Sequence, residues 1–165
     1  MLALYIKKIK NIYILIIFII SNELFSNDLI NEFNFSSSLD GLYTLNDGRK
    51  FEATTLSGHI KNNLGYYGII KCSSLIETKK EKLIFLKVIC EISLNDNNKI
   101  WTVLERNSET FNAGIGRSVI IDATGKFKIL IGTECMYAVT KYESSSFVIE
   151  KCKLNEKVFD KIKKL

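Results

Sequence analysis

The sequence predicts an antiparallel all-β domain, and three observations carry that prediction. From Leu39 onward, short apolar or alternating runs are punctuated by Gly, Asn, Asp and Ser, residues that tolerate turn geometry. Asp47-Gly48 is a dipeptide suited to the type I′ turn, whose twist matches that of paired strands. Between the runs no helical period is sustained, which excludes the alternating β–α pattern of a parallel sheet.

Ahead of this domain, Lys7, Lys8 and Lys10 precede an unbroken apolar run from Ile12 to Ile20. A charged segment, an apolar stretch and then small polar residues make up a secretory signal peptide. The run falls short of the roughly 20 apolar residues that span a bilayer, so a signal cleaved near Ser26 is expected rather than an anchor, with no transmembrane span in the mature chain. Export, to the periplasm or beyond, places the thiols where they oxidise. Removing residues 1–26 takes three of the 23 basic and one of the 18 acidic residues, so the formal net charge falls from +5 to +3. That bias is too small to argue for nucleic acid.

Residues 27–38 keep neither a helical nor a strand period and are expected to form a flexible leader, with one domain over 39–165. Strands are then predicted at 41–46 and 49–56 around Asp47-Gly48, at 66–74 and 83–93 on either side of the polar run 77–82, and at 99–106 after Asn95-Asp96-Asn97-Asn98. A longer loop is expected at 107–116. Further strands follow at 117–122, 126–131, 133–142 and 146–153. The chain holds no proline, which suits central strands. Leu154, Val158, Ile162 and Leu165 recur at helical spacing with lysines between them, predicting a short amphipathic helix. It would cap an open end of the sheet or, as a basic helix, meet an anionic surface.

Four cysteines allow three pairings. Positions 72 and 90 are symmetric about Glu81, and 135 and 152 about the 143/144 midpoint, which favours Cys72–Cys90 and Cys135–Cys152 across two hairpins. A zinc site is disfavoured because there is no C-x-x-C pair and the single histidine, His59, has no cysteine near it. A nucleophilic thiol would likewise lack its base. Gly114-Ile115-Gly116 opens like a dinucleotide fingerprint, but Val119 stands at the third glycine, so a glycine-permitted bend is expected there. Asp96-Asn97-Asn98 fails as a calcium loop at Ile100. No metal or cofactor is implied. Glu91, Glu105, Asp122 and Glu134 are the carboxylates from which a catalytic pair could be drawn.

Ala123-Thr124-Gly125-Lys126-Phe127-Lys128-Ile129-Leu130-Ile131-Gly132 resembles the G-T-G-K-[FY]-x-G-[ILV]-x-G turn and strand of allene-oxide-cyclase-like and dirigent-like proteins, with Ala123 and Ile129 replacing two glycines. With its Asp47-Gly48 hairpin and late Cys135-x-Tyr137-Ala138-Val139 segment, the chain is also similar to small exported proteins of AT-rich alphaproteobacterial genomes. The first resemblance implies a single antiparallel barrel, or closed sandwich, of about eight strands that encloses an apolar cavity. It transfers no catalytic residue. Three functions stay open: a non-catalytic barrel holding a small apolar or amphipathic ligand against Tyr66, Tyr67, Trp101 and Tyr137; a cyclase or isomerase using Glu91, Glu105, Arg106, Glu134 or Tyr137; and a protein-binding or inhibitor module of the cell envelope.

Overall fold

The computed structural model describes residues 27–106, 110 and 112–163. The export signal expected at residues 1–26 lies outside them, as does Leu165. Eight strands, β1 (Asp28–Thr44), β2 (Arg49–Asn62), β3 (Tyr67–Lys79), β4 (Lys82–Leu94), β5 (Lys99–Arg106), β6 (Ala113–Ala123), β7 (Glu134–Tyr142) and β8 (Ser145–Lys153), form a closed antiparallel barrel in chain order. β1 pairs with β8, from Asp28 opposite Lys153 to Ser36 opposite Ser145, and closes it. A 3-10 helix (Gly125–Leu130) links β6 to β7, and one helix, α1 (Glu156–Ile162), ends the described chain.

Residues 28–38, expected as a leader, are therefore the first half of the closing strand. Leu29, Phe33 and Phe35 point inward, but Asn31 shares their parity, and that polar residue interrupts the apolar alternation. Residues 57–62, beyond the strand predicted at 49–56, are the end of β2, flanked by β1 and β3. Gly58 permits that pairing, because a Cβ there would collide with the carbonyl of Asn34. The segment 126–131, predicted as a strand, is the 3-10 helix. Phe127 and Leu130 are three residues apart, the period of that helix, so both reach the core while Ile129 and Ile131 stay outside.

The Asp47-Gly48 hairpin forms, but with a different turn. Only Gly48 has positive φ (82°), the Gly48 amide donates to the Leu45 carbonyl, and the Leu45 amide donates to that of Arg49, giving a three-residue loop with glycine in the left-handed position. Asn62–Tyr66 and Leu94–Asn98 repeat this pattern, with Gly65 and Asn97 left-handed. The two-residue type I′ geometry occurs instead at Lys80 and Glu81, both at positive φ. Both disulfides form as the spacing favours: Cys72 faces Cys90 across β3 and β4, and Cys135 faces Cys152 across β7 and β8.

Inward residues are mostly apolar, while the outer wall carries ion pairs such as Glu32 with Lys61 (2.9 Å) and Glu105 with Lys87 (3.2 Å). Among the described residues no helix is long and apolar enough to cross a membrane. One end of the barrel is packed solid. Ile70, Ile92 and Leu94 fill it, and Phe127, Leu130 and Ile162 seal it from below. Tyr66 donates its hydroxyl to the Ile162 carbonyl (3.0 Å) and meets Phe127 edge to face, tying α1 to the barrel floor. Asn155 caps α1 by accepting from the Val158 amide (3.0 Å).

Candidate functional site

Above that plug the barrel is hollow. A cavity of about 370 Å³ opens at the end bearing the β1–β2, β3–β4 and β7–β8 turns. Its deeper wall is apolar: Phe35, Leu56, Leu104, Val148 and the Cys72–Cys90 bridge. Its upper wall is charged, and the strand register explains why. Glu52 on β2 faces Ile76 on β3, Ile76 faces Leu86 on β4, and Leu86 faces Arg106 on β5, so one row around the barrel begins with a carboxylate and ends with a guanidinium. Lys141 joins them from β7, and Glu143 lies exposed in the following turn.

Arg106 is 3% exposed, and burial lowers the pKa of its guanidinium while the neighbouring Tyr137 opposes that shift. Lys141 is half-buried. Burial first, and then repulsion from Arg106, pulls its amine down to about 8, with Glu52 acting in the opposite sense. Burial, reinforced by Glu150, pushes the Tyr137 phenol up to about 12 against the pull of Arg106, so the phenol stays a neutral donor. Its hydroxyl reaches the Glu105 carbonyl at 3.4 Å, and its ring lies over Gly116, where any Cβ would strike it. The Gly114-x-Gly116 pair thus lies within β6, where Gly116 makes room for an aromatic ring.

Opposite Tyr137, on β8, Glu150 is fully buried. Asn31 Nδ2 donates to one carboxylate oxygen (2.8 Å) and Ser118 Oγ donates to the other. Burial raises the Glu150 pKa and these two donors oppose it. With Cys135 and Cys152 it makes a grouping dense enough for a metal, but the two sulfurs are bonded to each other and have no thiolate to offer.

A scan of family models and searches of curated proteins and of solved structures match nothing to this chain. The assignment of residues to a function therefore rests on the geometry.

Of the four aromatic residues predicted to line a cavity, Tyr137 alone does so. Tyr66 belongs to the floor of the barrel, Tyr67 is 61% exposed, and Trp101 lies on the outer wall, donating its indole N–H to Glu91 (3.2 Å). The carboxylates considered for catalysis also lie outside: Glu91 pairs with Lys99, Glu105 with Lys87 and Glu134 with Arg117, and Asp122 accepts from the Ala123 amide. Arg106 does face the cavity. Glu52, Lys141 and Glu150 escaped the sequence reading. Parity would have found two of them, since Lys141 is in step with Cys135 and Tyr137, and Glu150 with Cys152.

Proposed function

We propose that this protein is a non-catalytic, exported barrel that binds a small apolar or amphipathic ligand. One observation carries the reading: the barrel is sealed at one end and hollow at the other, and the hollow is walled by apolar side chains. Its volume lies within the roughly 300–1,000 Å³ common for small-molecule sites. Two internal disulfides and the charged, then apolar, N-terminal order support export to an oxidising compartment.

The test is uptake of a neutral, polarity-sensitive fluorophore by the purified protein, with native mass spectrometry for any co-purifying small molecule. One equivalent should bind, and Val148→Trp, which fills the hollow from its apolar wall, should reduce uptake at least tenfold. Absence of uptake, or uptake indifferent to Val148→Trp in a folded variant, would remove the ligand-binding reading.

A further inference from the structure

The geometry points to an amphipathic anion as the ligand, its single hydrocarbon chain lodged against Phe35, Leu56 and Val148 and its carboxylate or phosphate head held at the mouth by Arg106 and Lys141. This rests on the ligand-binding reading and adds to it the chemical class and the orientation of what is bound.

Three features of the cavity support it. First, polarity is segregated by depth: the floor is apolar, and charge enters only in the upper wall. A chain with one polar end matches that gradient only tail-first. Second, the most deeply buried charge in the wall belongs to an arginine, which cannot shed its proton and whose planar fork matches a carboxylate or phosphate in two parallel hydrogen bonds. Third, Lys141 faces the same space and is repelled by Arg106. An anion seated between two like charges relieves that repulsion and favours their charged forms. The mouth also carries two carboxylates, and on Lys141 the repulsion of Arg106 outweighs the pull of Glu52. Glu52 is half-buried and acts on Lys141, and Glu143 lies exposed on the turn. A volume of 370 Å³ suits one chain of medium length rather than a two-chain lipid.

The experiment is displacement of the neutral fluorophore from the full chain by laurate, lauryl phosphate, lauryl alcohol and dodecylphosphocholine, which share a tail and differ in the head. Laurate and lauryl phosphate should bind at least about tenfold tighter than the alcohol, a difference of about 1.4 kcal/mol. Whichever anion is tighter identifies the source as a fatty acid or a phosphate monoester. Arg106→Gln and Lys141→Met should each shrink the anion-to-alcohol ratio toward one. Lys141 is half-buried near the end of its strand, so its variant keeps the test alive if Arg106→Gln does not fold. Raising the pH from 7 to 9 should weaken laurate in the native protein, as Lys141 discharges near 8 beside Arg106, Glu52, Glu143 and the still neutral Tyr137, but not in Lys141→Met. Alcohol or phosphocholine binding as tightly as the anions would overturn the head-group assignment while leaving ligand binding intact. Failure of every probe to displace, together with no uptake of the fluorophore, would defeat the ligand-binding reading itself.

Discussion

Glu150 sits where a carboxylate is least expected, fully buried beside a disulfide, with Asn31 and Ser118 donating to it. Both neighbours donate to its oxygens, yet burial dominates and its folded pKa lies above the ordinary value. The linkage has a definite sign. An acid whose pKa is raised on folding holds a proton that the unfolded chain has released, so stability is full below the unfolded pKa, about 4.3, and declines as pH rises toward the folded value. Glu150→Gln keeps the shape and can serve both neighbours, accepting from Asn31 and donating to Ser118. It should therefore melt higher than the native protein at neutral pH, with the gap closing near pH 4. Thermal melts across that range check the prediction, and a gap independent of pH would count against the titration of Glu150 as its source.

At the scale of elements, the plug decides what kind of barrel this is. The 3-10 helix and α1 cover the apolar end of the barrel, where Ile70, Ile92 and Leu94 already fill the interior, so the cavity opens at one end alone. Ile162 is fully buried in the floor, and the Tyr66 hydroxyl holds its carbonyl. Ile162→Ala should cost about 2–5 kcal/mol through lost burial and the cavity left behind, and Tyr66→Phe about 0.5–1.5 kcal/mol through one lost hydrogen bond, both measured by urea denaturation. The helix was legible in the sequence because Leu154, Val158 and Ile162 keep its period. The 3-10 segment was not, since a short apolar run fits strand and helix alike, and Phe127 and Leu130 choose only once there is a barrel end to fill. The closing strand was hidden by its own chemistry: Asn31 is inward because Glu150, far along the chain, is there to accept from it. The site was partly legible for the same reason. Aromatic residues mark a buried face but not which one, and Trp101 and Tyr67 fall on the outer parity while Tyr137 falls on the inner.

For the whole molecule, the two disulfides reinforce seams that are already local. Seven of the eight pairings join consecutive strands, and only β1 with β8 brings the chain ends together. The bridges span sequence separations of 18 and 17 residues within β3–β4 and β7–β8, so neither spans the closing seam. In the chain-entropy account, loops of this length are worth about 3 kcal/mol each. A domain of total stability about 5–15 kcal/mol then tolerates the loss of one bridge but is left marginal by the loss of both. The paired variants Cys72→Ala/Cys90→Ala and Cys135→Ala/Cys152→Ala should each fold and each lose about 2–4 kcal/mol in chemical denaturation. Their other effects should differ, because Cys72 and Cys90 line the hollow whereas Cys135 and Cys152 lie in the packed wall beside Glu150. Removing the first bridge should change fluorophore uptake as well as stability, and removing the second should change stability alone. Equal effects on uptake would mean that the cavity answers to the rigidity of the barrel as a whole, not to the residues that form its wall.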